Sequence, residues 1–251
     1  MSAEEYIPKI AMSIQAHPDD QEFSNAGTLA KWAQGGSYVI SVIITNGDAG
    51  SNASDKGAEY KPELARIRQA EQQAANDILG VKKTVFMGYP DGELVHTLEL
   101  RKELTRLIRR YRPEVVLCGD PTRRFYGSDY INHPDHRAAA DAVCDAVFPS
   151  AGTRLIFPDL LVEGFGPHNV KRLYLWGAEE RNTWVDISNT LELKISALKK
   201  HVSQMGEWDP SEMIREWAAD TGKEKGLALA EAFKVMILVE EKEEAGSKDG
   251  E

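Results

Sequence analysis

The run Gln15-Ala16-His17-Pro18-Asp19-Asp20-Gln21-Glu22 packs an imidazole and two carboxylates into four residues, with a proline turning the chain between them. A second cluster, Asn132-His133-Pro134-Asp135-His136, lies far downstream. Imidazoles and carboxylates in such clusters bind divalent cations, and three protein ligands leave a coordination position for water. We read His17, Asp20 and His136 as the metal ligands. A zinc ion held in this way lowers the pKa of its water to about 7, making hydroxide available at neutral pH. Pro18 keeps His17 extended and bends the chain after it, so that Asp19 points beside the ion. Asp19 is then the base that takes the proton from water. His133 is free to donate a hydrogen bond, or as imidazolium a proton, to a tetrahedral intermediate. These are the parts that metal-assisted hydrolysis needs.

Such a site requires two distant segments to meet, and the periodicity of the chain says how. Strand-like apolar runs at 10–16, 38–45, 83–88 and 114–118 alternate with helical patterns. The helices are expected at 27–34, from Pro62 to a stop at Gly80, at 98–111 and at 134–147. That alternation predicts an α/β fold, a mostly parallel sheet covered by helices. Both His clusters fall in loops that leave the carboxyl ends of strands, where open α/β sheets bind their ligands. Farther on, 173–176 and 184–187 read as short strands, after which the sheet is expected to end. Asn189 and Glu192 resemble a capping box for a helix over 191–202, and 210–220 and 224–238 read as helical. Residues 46–57 read as a Gly/Ser/Asn/Asp-rich loop. One domain is expected over 1–239, with a charged, disordered tail over 240–251.

Acidic residues outnumber basic ones by 40 to 30, for a net charge of -10, which disfavours nucleic acid and anionic membranes as partners. A neutral or cationic small substrate fits better. Residues 1–9 carry Glu4 and Glu5 and no apolar leader segment, and the longest apolar runs are strand-sized, so a cytoplasmic protein is expected. Cys118 and Cys144 lack any CxxC spacing and are expected to be buried free thiols.

The runs AHPDDQE and NHPDHRAAADAV resemble the two signature motifs of the LmbE-like (PIG-L) de-N-acetylases, a family acting on N-acetylglucosamine-type sugars. The resemblance implies a Rossmann-like sandwich with helices on both faces and a Zn2+ ion, or Fe2+ or another divalent metal, at His17, Asp20 and His136. It implies Asp19 as general base and His133 as partner of the oxyanion or leaving group. It also carries over Arg68, in Arg68-Gln69-Ala70-Glu71, and Asp91, in Tyr89-Pro90-Asp91-Gly92, as contacts to sugar hydroxyls. Arg68 and Glu71 share a helix face, where Glu71 is expected to hold the guanidinium. By resemblance to the chitobiose enzymes the protein forms a homo-oligomer, a hexamer, acting on a small N-acetylated sugar. The chain departs from the usual pattern at Gln21, which intervenes before Glu22. Ile131 occupies the position where the mycothiol branch has tyrosine.

Other readings compete. A lone His-Pro-Asp or Asp-Asp is an ordinary turn, and Asp91 a turn corner; two such clusters, each after a strand, are what point to a site. Two His and one carboxylate are also the facial triad of non-haem iron oxygenases, although an adjacent unligated carboxylate serves water activation rather than oxygen chemistry. A non-catalytic sugar or metabolite binder is the third reading, opposed by the presence of both Asp19 and His133. His201 borders the apolar stripe of its helix and reads as a partly buried structural residue. Gly164-Phe165-Gly166 lacks the rest of a dinucleotide fingerprint.

Overall fold

The computed structural model describes residues 6–51 and 55–240. From the N-terminus, β1 (Ile10–Gln15) leads through a turn into the short α1 (Asp20–Ser24) and α2 (Ala26–Gln34), followed by β2 (Tyr38–Thr45). The helix α3 (Lys61–Leu79), with Pro62 in its first turn, ends at Gly80 in a left-handed conformation. Then come β3 (Lys83–Tyr89), α4 (Leu98–Tyr111), β4 (Val115–Gly119) and a small hairpin of β5 (Phe125–Tyr126) and β6 (Tyr130–Ile131). The second half comprises α5 (Pro134–Asp145), α6 (Asp159–Val162), β7 (Arg172–Trp176), β8 (Thr183–Asp186), α7 (Leu191–Leu198), α8 (Val202–Met205), α9 (Ser211–Lys223) and β9 (Ala230–Ile237).

The main sheet has seven strands in the order β3-β2-β1-β4-β7-β9-β8. The first five run parallel, and β9 is antiparallel to both of its neighbours. The central strands are apolar almost throughout because both faces are covered: past their first residue, β1 and β2 are buried. Alternate residues go to opposite layers. Met12, Ile14, Ile40 and Val42 pack with Leu104, Ile108 and Val143 on one face. Ala11, Val39, Val115 and Leu117 pack with Leu29, Trp32, Ile195, Leu198 and Phe233 on the other. Chain order reverses between β1 and β4, so the loops leaving those two strands diverge and open a crevice at their carboxyl ends.

The sheet does not end where the sequence suggested. Within 224–238, expected to be helical, residues 230–237 form β9, which inserts between β7 and β8. Its Ala, Glu and Lys content favours helix locally, but pairing on both edges and burial of Phe233 decide the outcome. The helix expected over 191–202 breaks before His201 into α7 and α8. No capping box forms at its start: Thr190 is the cap residue, and its hydroxyl donates to Gly27 O instead. Cys118 and Cys144 are free thiols, Cys118 buried and Cys144 partly so. The tail read over 240–251 lies, apart from Glu240, outside the described residues, as do Glu4 and Glu5.

Candidate active site

Two turns at the crevice position the chemistry. After β1 the chain turns at Pro18, and Asp19 sits at φ 91° before α1 begins at Asp20. The His17 N–H donates to Asp20 Oδ2 at 2.8 Å, which locks the turn onto its own first helical residue. Beyond the β5–β6 hairpin, His133 caps α5, its Nδ1 accepting from Asp135 N at 3.3 Å, with Pro134 in the first turn. His136 comes next within that turn and so projects from a rigid helix start.

The structure brings His17, Asp20 and His136 together. His17 Nδ1 lies 3.2 Å from His136 Nε2, His136 Nε2 lies 3.0 Å from Asp20 Oδ1, and His17 Nδ1 lies 3.6 Å from Asp20 Oδ2. Atoms bound tetrahedrally to one zinc at roughly 2.0–2.1 Å are about 3.3 Å apart, so the three donors fit a single ion. The opposite ring nitrogens are held by acceptors, as metal-bound imidazoles require. His136 Nδ1 is 3.0 Å from Asn132 Oδ1. His17 Nε2 is 3.0 Å from Asp91 Oδ1 and 3.3 Å from Asp135 Oδ2. A second grouping, His17, His133 and Asp135, also falls within ligand range of one ion. Its Asp135 oxygens already accept from Gly92 N and Leu94 N, which makes it the poorer cation site.

The charges fit a cation as well. Burial opposes ionisation of His17, yet hydrogen bonds to Asp135, Asp20 and Asp91 hold its pKa well above the ordinary value. Burial likewise works against an ionised Asp20, and the charge and hydrogen bond of His136 more than reverse this. Four carboxylates, those of Asp19, Asp20, Asp91 and Asp135, converge here on the Arg68 guanidinium and two paired imidazoles.

Asp19 stands beside the donor set and outside it. Arg68 Nη2 donates to its Oδ2 at 3.0 Å, and burial pushes its pKa up to about 6 while Arg68 pulls the other way. His133 is half-buried, its ring 4.8 Å from that of His17 and edge-on to it. Burial and the neighbouring His17 lower its pKa, so it is neutral near pH 7. Since Nδ1 accepts from Asp135 N–H, the proton is assigned to Nε2.

Two expectations change in detail. Arg68 is not held by Glu71: its guanidinium donates to Pro18 O at 2.6 Å and Gly47 O at 2.9 Å as well as to Asp19. Glu71 instead accepts from Ser203 N and Oγ, both at 2.7 Å. Asp91 is buried, and besides His17 its carboxylate accepts from Ala49 N and Gly50 N. Both side chains are thus committed to the frame of the site. Sequence reasoning assigned nothing to Asp135, Asn132 or Gln72. The first two stand inside the second cluster, where an acid or amide next to a ligand histidine is itself a signal for its orienting partner.

A cavity of about 760 Å3 opens beside Asp20, Asn132 and His136, walled by Phe23, Tyr126, Trp176 and Trp217. Trp176 packs edge-on to His136 with ring centres 6.0 Å apart, and its indole N–H donates to Gln15 Oε1. Apolar walls with a few polar groups at one end describe a small-molecule site.

A family model described as PIG-L: GlcNAc-PI de-N-acetylase matches residues 12–147. The diacetylchitobiose deacetylase of Thermococcus kodakarensis is 33% identical over 233 residues, covering 91% of this chain and 83% of that protein. The solved N,N'-diacetylchitobiose deacetylase from Pyrococcus horikoshii, complexed with its inhibitor MPG, aligns with a TM-score of 0.82 and 31% identity. That alignment covers 92% of this chain and 84% of the other. A 4-carboxy-2-hydroxymuconate hydratase from Pseudomonas putida aligns with a TM-score of 0.76 but 20% identity over 94% of this chain and 99% of that one, and shares the fold alone. One likeness covers the half that holds both His clusters, the other runs along nearly the whole chain, and by both the protein belongs to the PIG-L family of de-N-acetylases.

Proposed function

We propose that the protein is a zinc-dependent hydrolase that removes an N-acetyl group from an N-acetylglucosamine-type sugar, with N,N'-diacetylchitobiose the favoured substrate. The observation that carries the reading is the position of Asp19, a partly buried carboxylate beside three converging metal donors and not one of them. The relatives that act on diacetylchitobiose support the sugar, and the cavity beside His136 has room for more than one ring.

His17, Asp20 and His136 would hold the ion, which when bound supplies an activated water and polarisation of the amide carbonyl. Asp19 accepts the proton that water loses as its oxygen bonds to the acetyl carbon. Arg68 fixes Oδ2 of Asp19 and leaves the second oxygen as the acceptor. His133, neutral and with its proton on Nε2, donates a hydrogen bond to the carbonyl oxygen as negative charge develops there. The proton held by Asp19 passes to the sugar nitrogen as the C–N bond breaks, giving acetate and a free amine. Asp91 and Asp135 orient His17, and Arg68 orients Asp19, so contact of Arg68 and Asp91 with substrate is a smaller part of their role.

Zinc is favoured over Fe2+ because the groups beside the donors serve water activation and none is arranged for oxygen chemistry. No helix among the described residues is long and apolar enough to cross a membrane, in keeping with the cytoplasmic residence that we propose. A homo-oligomer is part of the same reading, and exposed Phe125, Tyr130 and Ile131 on the β5–β6 hairpin offer it an apolar surface.

Acetate release from N-acetylglucosamine and N,N'-diacetylchitobiose, with and without chelator, tests the proposal. His136→Ala is expected to lose the metal. Asp19→Asn is expected to keep it while losing turnover on the order of 10²–10⁴-fold. Ordinary turnover by metal-loaded Asp19→Asn would remove the proposed base.

A further inference from the structure

Asp19 holds a backbone conformation, φ 91° and ψ -23°, that residues other than glycine seldom adopt. Such a conformation persists only where the surroundings over-determine it. Its N–H donates to Gln72 Oε1 at 2.9 Å, and its carbonyl accepts from Glu22 N and Phe23 N at 2.9 and 3.2 Å. Gln72 in turn donates from Nε2 to Glu22 Oε1 at 3.1 Å, and the same oxygen accepts from Gln21 Nε2 at 2.8 Å. The other Glu22 oxygen lies 3.3 Å from His201 Nε2, and both of those side chains are fully buried.

This chain of polar groups is out of place in an apolar interior. Hydrocarbon side chains of similar shape would pack there without leaving polar groups short of partners, as Glu22 Oε2 and both His201 ring nitrogens are. One branch of these groups ends on the amide of Asp19, and another runs from Gln21 and Gln72 through Asn76 to Thr84 on β3. At the far end, His201 precedes α8, and α8 is fastened by Ser203 to Glu71 on α3 and by Gln204 to Gly50 O. Arg68, Glu71 and Gln72 lie on adjoining positions of α3, one turn apart, so one helix face grips the Asp19 carboxylate, the Asp19 amide and α8.

Resting on the de-N-acetylase reading, we propose that Gln72, Glu22 and His201 are positioning residues for the catalytic base. They form a buried relay that holds Asp19 in its left-handed conformation, so that its carboxylate stands beside the metal donors and does not join them. The relay touches neither substrate nor ion. Its effect is on turnover through the placement of Asp19.

The experiment compares metal-loaded, full-length wild type with Gln72→Leu, Glu22→Leu, Glu22→Gln, His201→Phe and His201→Gln. The Leu and Phe variants remove the polar groups of the relay, and the two Gln variants keep a polar group at each position. In Gln72→Leu and Glu22→Leu, kcat is expected to fall on the order of 10–100-fold, with KM and metal stoichiometry within about twofold of wild type. Glu22→Gln and His201→Gln are expected to retain kcat to within about threefold. If the two Leu variants do not fold, His201→Phe carries the same expectation from the far end. Unchanged kcat in the relay-breaking variants overturns the proposal, and so does a loss that tracks metal content or KM. Amide hydrogen exchange of the segment 17–23 gives a readout independent of turnover. Faster exchange is expected in Gln72→Leu and not in Glu22→Gln. Should wild type release no acetate, the reaction assignment fails, and equal exchange in all variants would separately remove the relay.

Discussion

Arg68 is 3% exposed, and all of its described hydrogen bonds go to the turn that carries the base and to the loop at Gly47. Replacing it with Met keeps most of the stem, but strands two carbonyls and the partly buried Asp19 carboxylate. Arg68→Met is therefore expected to destabilise the fold by about 3–5 kcal/mol, the scale for removing one partner of a buried pair. Urea unfolding of the metal-free protein checks this, and a loss below about 1 kcal/mol would show that solvent already screens the pair. Arg68 also marks what sequence reading can reach. His17, Asp19, Asp20, His133 and His136 were legible because ligand types recur within one turn of each other at two strand ends. The partner of Arg68 is not legible in this way, because Glu71 is its neighbour on the helix, while Asp19 is brought to it only by folding. Gln72 carries no local pattern, and His201 shows only its place beside an apolar stripe; their contacts to Asp19 and Glu22 form only on folding.

Among the elements, β9 shows why the last part of the chain was the least readable. Phe233, Val235 and Ile237 alternate with Ala232, Lys234 and Met236, a period of two hidden beneath helix-favouring residues. The early strands needed no such decision, since runs rich in Val and Ile between Gly and Pro signals admit a single reading. β9 also reaches back to the start of the fold. Glu231 accepts from Gly27 N and Thr28 N at the head of α2, at 2.9 and 2.8 Å, and from Lys194 Nζ on α7 at 2.6 Å. Both charged groups are nearly inaccessible, so the pair is a rigid bolt between sheet and helices. Glu231→Ala is expected to cost about 3–5 kcal/mol because Lys194 and two helix amides lose their acceptor. The double variant Lys194→Met, Glu231→Met is expected to cost less than Glu231→Ala, since no unpaired charge remains. Denaturant midpoints for the two variants decide the matter; a double variant as damaging as the single would make shape, and not charge, the reason for the pair.

At the scale of the whole molecule, two apolar layers on a mostly parallel sheet fix where the chain must place its polar site, at the open end between β1 and β4. That end gathers the carboxylates of Asp19, Asp20, Asp91 and Asp135 in a protein whose net charge is already -10. In the metal-free chain they are held by the Arg68 guanidinium, the His17 and His136 imidazoles and backbone amides, and a cation bound to the folded state alone adds stability to it. Binding at a thousand times Kd stabilises by about 4 kcal/mol, and each kcal/mol moves the midpoint of a domain this size by about 2–4 °C. Zinc added to chelator-treated protein is therefore expected to raise Tm on the order of 10 °C. The same addition is expected to leave His136→Ala nearly unmoved, because Asp20 and His17 alone do not close the site. Calorimetry of the two proteins over a zinc series separates this from nonspecific binding to an acidic surface, which would raise or lower both midpoints alike. A shift of equal size in His136→Ala would mean that the ion sits elsewhere, and with it the chemistry assigned to Asp19.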